Sequence, residues 1–264
     1  MLLSRPVKVA LLIEYDGTEF SGWQVQENGR SVQGELERAC KQLFGEDIPV
    51  HGAGRTDAGV HARGMVAHSE LPDMMTIRKL TMAINATTPK DIAVRDVRLV
   101  PDDFHARHSA SSRTYRYTIK HERTALDRNF VWAIHRSVDR TIIERITAEL
   151  IGEHDFTSFS KRTNDVDHYR CIVQHASWDF RGTTFALTLR ANRFVRGMVR
   201  ALVGAIVQTG QGVLSEEGFK SLLHSPREVA RAKYLAPPHG LVLEAVEYPE
   251  RFGLWPMGWQ ANRS

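Results

Sequence analysis

Cysteine is scarce in this chain of 264 residues: there are two, Cys40 and Cys171, and neither has a Cys-x-x-Cys partner. That argues against zinc ribbons and dithiol redox motifs. Long apolar runs are also missing, since none reaches the ~18 residues of a membrane span. The opening MLLSRPVKVALLIEYDG is interrupted by Glu14 and Asp16 too soon for a signal peptide, so a cytoplasmic protein with reduced thiols is expected. No P-loop, Gly-x-Gly-x-x-Gly, Gly-x-Ser-x-Gly or His-Glu-x-x-His pattern occurs, nor any low-complexity segment. What is present is ordinarily globular, with 42% hydrophobic and 25% charged residues, which excludes a disordered chain. The net charge of +4 is weak support for nucleic-acid binding by itself. Its distribution says more: basic residues cluster at Arg107 to Arg123 and at Arg190 to Arg200, while acids gather in 139–155 and 244–250.

Hydrophobic periodicity gives the organisation. Val7–Tyr15 reads as a strand. Ser31 opens a helix with Val32, Leu36, Ala39, Cys40 and Leu43 at helical spacing, so Cys40 is expected in the core. Ile48–His51 and Met65–Leu71 read as strands, Thr76–Asn85 as a helix and Ile92–Val100 as a strand. The second half begins with a strand over Arg113–His121, carrying Tyr115, Tyr117 and Ile119 on one face, and a further short strand within Asn129–Arg136. A helix capped by Asp139 and stopped by Gly152 follows. Cys171–Trp178 and Thr184–Arg190 read as strands, Phe194–Thr209 as an apolar helix, Ser215–Leu223 as a short helix and Leu241–Val246 as the last strand. The pattern predicts an α+β chain built from two ferredoxin-like β-α-β-β-α-β halves, 1–103 and 104–264, whose strands form one extended mixed sheet with a central cleft.

The segment His51-Gly-Ala-Gly-Arg-Thr-Asp-Ala-Gly-Val-His-Ala62 carries the strongest chemical signal. Asp57 has no other acid within nine residues on either side. The glycines at 52, 54 and 59 make poor core but allow close backbone approach. Arg55, two positions before Asp57, favours a charged carboxylate. A single charged Asp in such a loop suits a nucleophile better than a proton-sharing pair. Arg113-Thr-Tyr-Arg-Tyr117 admits two readings, a half-exposed strand or a stacking platform for bases with arginines for phosphate. Arg196 and Arg200 fall at i and i+4 of the apolar helix, whose core stripe would be Phe194, Met198, Leu202 and Ala205. A charge on a buried helix needs a partner, and Asp57 is a candidate. His51, Asp57 and His61, and separately His105 and His108, invite a metal reading, but their spacings match no helical ligand pattern and no metal is expected.

GAGRTDAGVHA resembles the signature of the tRNA pseudouridine synthase A family. IEYDGTEFSGWQ, SVQGELERA, FHARHSASSRTYRY, GEHDFTSF, FVRGMVRALVG and APPHGLVLEAVEYP follow in the family's order over nearly the whole chain. The resemblance implies the pseudouridine synthase fold. It also implies isomerisation of uridine to pseudouridine at positions 38, 39 and 40 of the tRNA anticodon stem and loop, without a cofactor, by a homodimer. Asp57 would be the nucleophile on a flipped-out uridine, and Arg55 would displace and hold the nucleotide. Tyr115 would stack on the base, Arg200 would orient Asp57, and Arg113 and His61 would bind substrate. Attack at uracil C6 and at ribose C1′ both fit such a nucleophile. The chain departs from the family pattern at Gly197, where His is usual, and at Tyr234-Leu235-Ala236-Pro237, where Thr-Ala-Pro is usual. A non-catalytic RNA-binding protein and a metal-dependent hydrolase are the competing classes.

Overall fold

The computed structural model describes residues 6–161, 167–225 and 232–255. Those residues separate into two compact units, one of Met1–Ser111 with Leu243–Ser264 and one of Ser112–Val242. Both are α+β.

In the first unit the order is β1 (Pro6–Tyr15), α1 (Val32–Phe44), β2 (His51–Gly52), β3 (His61–Pro72), α2 (Ile77–Thr87) and β4 (Ile92–Leu99). The strands pair antiparallel in the order β4-β1-β3, with β2 on β3. This is the predicted β-α-β-β-α-β unit. Val9 to Ile13 are all buried, as befits a central strand covered on both faces. α1 starts where the Ser31 side chain accepts the Gly34 N–H, and ends where Gly45 adopts φ 78°. α2 starts at the Thr76 cap and runs through Thr87, two residues beyond the expected end at Asn85. β3 begins at His61 rather than Met65, because His61-Ala-Arg-Gly64 lacks the apolar alternation that marks a strand.

The second unit holds β5 (Ser112–Lys120), β6 (Trp132–Ala133), α3 (Arg140–Ala148), β7 (Gly152–Asp155), β8 (Arg170–Arg181), β9 (Thr184–Ala191), α4 (Met198–Gly210) and α5 (Glu216–His224). Its strands run β5-β9-β8-β7, with β6 parallel to β5 and the other pairs antiparallel, so the strand set is mixed. The last strand, β10 (Leu241–Glu247), has its first two residues in this unit and the rest in the first. Two expectations are corrected. α3 ends at Ala148, and Gly152 (φ 110°) instead opens β7, a strand that polar GEHD conceals. α4 begins at Met198, because Gly197 sits before it with φ 75°. Arg196 is therefore outside the helix and exposed, and Arg196 and Arg200 do not share a helical face. Phe194 is likewise only half-buried and is not part of the helix core stripe.

His68 is the most consequential buried polar group of the first unit. Its Nδ1 accepts the Ala106 N–H at 3.2 Å, which fixes a neutral tautomer. Burial, then the nearby His105, His51 and Lys8 charges, push its pKa from the ordinary 6.5 down to about 4. The unfolded chain therefore takes up a proton that the folded chain refuses. Stability is complete above the unfolded value and is lost as pH falls from 6.5 towards 4, by about 3 kcal/mol from this group. Urea denaturation across that window should show the loss, and His68→Asn, which keeps an acceptor but cannot be protonated, should flatten it. An unchanged pH profile in His68→Asn would refute the assignment.

Candidate functional site

Asp57 stands in the loop between β2 and β3, half-buried, with Arg55 exposed and Thr56 buried between them. The loop has almost no side-chain volume, so main-chain contacts hold it. Trp23 N–H donates to the Thr56 carbonyl at 3.2 Å, Gly59 N–H to Phe20 at 3.2 Å and Val60 N–H to the Asp57 carbonyl at 3.2 Å. The Tyr15 and Thr56 hydroxyls are 2.8 Å apart in the core. Gly22 (φ 101°) lies so close that a Cβ there would sit 2.6 Å from the Thr56 carbonyl oxygen, and a Cβ on Gly17 would collide with the Val60 carbonyl. The 17–23 segment is thus a main-chain floor under the loop. Arg30 secures that floor: its guanidinium lies 4.3 Å over the Phe20 ring and forks onto Asp91 at 2.6 and 2.9 Å.

His61 lies at the start of β3 and is only 2% exposed. Its Nδ1 is 3.0 Å from the Gly17 N–H and 3.1 Å from Asp16 Oδ1. One nitrogen cannot serve both at once: without a proton Nδ1 accepts from Gly17, and with one it donates to Asp16. In either state His61 ties the loop's exit to the floor. Among the described residues, no group of three or more His, Cys, Asp or Glu is arranged to hold a metal ion.

In the second unit Tyr115, Tyr117 and Ile119 share one face of β5, opposite Leu189, Leu187 and Phe185 of β9. Tyr117 and Ile119 are fully buried, whereas Tyr115 is half-buried with the Phe194 ring edge-on at 5.1 Å. Arg113, on the same face, donates to the Asn192 carbonyl at 2.9 Å, while Arg116 on the other face pairs with Asp179 at 3.0 Å. Arg200 is half-buried on α4, a helix otherwise almost wholly inside. Its Nε donates to the Ala236 carbonyl at 2.8 Å, and its own carbonyl accepts the Ala236 N–H at 3.0 Å. The next carbonyl, Pro237, accepts the Tyr117 hydroxyl at 2.8 Å. Burial drives the Tyr117 phenol far above its ordinary value, so it stays a neutral donor. Close approach of this strap depends on Gly204, where a Cβ would sit 2.5 Å from the Tyr234 carbonyl oxygen. At the departure site Gly197, a Cβ would meet only Leu235, at 3.7 Å.

Each unit therefore presents polar groups on a fixed frame: Asp57 and Arg55 in the first, Tyr115, Arg113 and Arg200 in the second. Sequence reasoning did not find Gly22, Tyr15 or Arg30 as supports of the loop, nor Phe194 as the neighbour of Tyr115. Gly22 in SGW carried the available signal, a glycine beside a large aromatic. Nothing in the sequence marks the Ala236 carbonyl.

The chain matches the family described as tRNA pseudouridine synthase over residues 11–109 and 146–249. It belongs to that family. It is 40% identical to the tRNA pseudouridine synthase A of Bacteroides thetaiotaomicron, covering 91% of this chain and 90% of that protein. The protein of the same name from Enterobacter sp. is 41% identical, over 95% and 93%, and that of Roseiflexus sp. 42%, over 92% and 91%. The complete GAGRTDAGVHA loop of this family member thus sits on a defined main-chain floor.

Gly22→Ala tests the floor. The positive φ and the clash with Thr56 should cost about 2 kcal/mol or more. Thermal melting should show a clear drop in Tm, and an unchanged Tm would mean that the two segments do not press on one another.

Proposed function

We propose that this protein isomerises uridine to pseudouridine at positions 38, 39 and 40 in the anticodon stem and loop of tRNA. The observation that carries the reading is family membership over nearly the whole chain, joined to an intact Arg55-Thr56-Asp57 loop. The reaction breaks the N1–C1′ bond, turns the base and joins C5 to C1′. The C5 proton leaves and N1 gains one, so nothing is oxidised and no group is transferred from elsewhere. No cofactor is required by that balance.

Asp57 acts as the nucleophile. Arg55, exposed beside it, takes the place of the displaced base and holds the flipped nucleotide. Extracting a base from its stack costs a few kcal/mol, which stacking on an aromatic ring offsets. Tyr115 supplies that ring, and Phe194 fixes its angle. Arg200, held by Ala236, orients the Asp57 carboxylate, and Arg113 contacts the RNA backbone. His61 was expected to bind substrate directly. Its burial suits a supporting part instead, in which it holds the loop rather than touches RNA. The reading includes a homodimer acting in the cytoplasm.

Two outcomes are expected. Tritium release from tRNA carrying [5-³H]uridine should vanish in Asp57→Ala while tRNA affinity stays within about threefold, because removing a nucleophile abolishes the covalent step and spares the phosphate contacts. Turnover that survives the substitution would remove Asp57 from the mechanism. Tyr115→Phe should keep tRNA affinity and Tyr115→Leu should lose it by roughly tenfold, since stacking is worth ~1–3 kcal/mol per base. Equal losses from both would assign the work to the hydroxyl.

A further inference from the structure

Four imidazoles meet on the first unit, outside the residues assigned above. Ring centroids are 5.0 Å apart for His51 and His68, 4.6 Å for His68 and His105, 6.2 Å for His51 and His105, and 4.3 Å for His105 and His108. The inner two are fixed by the backbone. His68 Nδ1 accepts from Ala106, and His105 Nδ1 faces the Arg107 N–H at 3.1 Å and the His108 N–H at 3.3 Å. A ring whose Nδ1 accepts carries its proton on Nε2. His51 and His108 lie at the ends and are exposed.

The charges around the cluster are mostly positive. His105, His51 and Lys8 act on His68, and His108, His51 and Lys8 act on His105. Lys8, on β1, is bonded to the Asp102 and Phe104 carbonyls and lies 3.8 Å from Glu70 of β3, which is itself largely exposed. Arg107 is exposed, and Asp103 is paired with Arg251 at 2.7 Å. Packed imidazoles of this kind could suggest a metal, but three or more convergent ligands are required and no such group exists among the described residues. A cluster of cation-forming rings and N–H donors instead fits an anion.

We propose that His51, His105 and His108, with Arg107, form a phosphate-binding site for the RNA backbone, in which a phosphodiester accepts ring N–H donors. This rests on the tRNA reading above. Histidine changes charge between about pH 5 and 8, so binding that recruits protons tightens as the solution is acidified. β2 places His51 at the entrance to the Asp57 loop, so RNA held here is tethered to the segment that carries the nucleophile.

The test measures affinity for unmodified tRNA by fluorescence anisotropy at about pH 6 and about pH 8, at fixed ionic strength, for wild type and for His51→Gln with His108→Gln combined. Thermal melting checks that the variant is folded. Wild type should bind roughly tenfold more tightly at the lower pH, and the variant should change by less than about threefold. An identical pH response in both proteins would overturn the site. Tritium release by wild type, measured separately, keeps the two readings apart. Release with no pH response in binding would remove the histidine site and leave the synthase reading standing. Absence of both release and tRNA binding would remove the synthase reading and the site with it. Inorganic phosphate provides the second arm: if it shifts the imidazole resonances and tRNA does not, the ligand is free phosphate and the RNA proposal fails.

Discussion

The position of Asp57 depends on main chain pressed directly against main chain. The residues around it are Gly, Ala, Thr and Val, which offer little side-chain surface to grip. The 17–23 segment can therefore approach only because Gly17 and Gly22 have no Cβ. Backbone hydrogen bonds then replace side-chain packing as the source of rigidity. Such a frame has a chemical advantage. It holds the loop in place while leaving Asp57 half-buried and Arg55 exposed. Arg30 extends the frame outward. Hydrogen bonding to Asp91 and then to Glu35 holds its pKa above the already high ordinary value, so the clamp on Phe20 remains charged at every pH the protein meets.

The second unit fixes its polar groups by a related device. The strap from Tyr234 to Pro237 offers two successive carbonyls, one to Arg200 and one to Tyr117. On a helix as buried as α4, an arginine with no acceptor would carry a desolvation cost of several kcal/mol. The Ala236 carbonyl offsets part of that cost and helps to set the direction of the guanidinium. Gly204 is the enabling residue, as Gly22 is in the first unit. In both cases a glycine admits another backbone rather than supplying flexibility.

Most of the element order was legible in the sequence because strand and helix periods are written in apolar residues, and the caps at Ser31, Thr76, Asp139 and Ser215 are recognisable by residue type. The errors have a common cause. β7 is Gly-Glu-His-Asp, and β3 opens on His61-Ala-Arg-Gly64, so polar residues and glycine at strand positions hid the alternation. At the other end, the apolar run Phe194-Val-Arg-Gly-Met-Val suggested helix where the Gly197 backbone takes a left-handed turn. Periodicity reports burial and is silent about a single residue with positive φ. The Asp57 loop was legible for the opposite reason: a lone acid among glycines has no structural use that the pattern could supply. Its supports were not legible, because a backbone carbonyl such as that of Ala236 has no sequence signature.

The two units, both α+β, divide the chemistry. The first unit carries a carboxylate and an arginine on a frame of backbone, and the second an aromatic ring and cations on a frame of side chains and carbonyls. An isomerisation with no redox step and no transferred group needs little else: a nucleophile, a surface for the extruded base and positive charge for the RNA. A net charge of +4 is small for gripping a polyanion through charge alone. Grip must then come from where the cations sit rather than from how many there are.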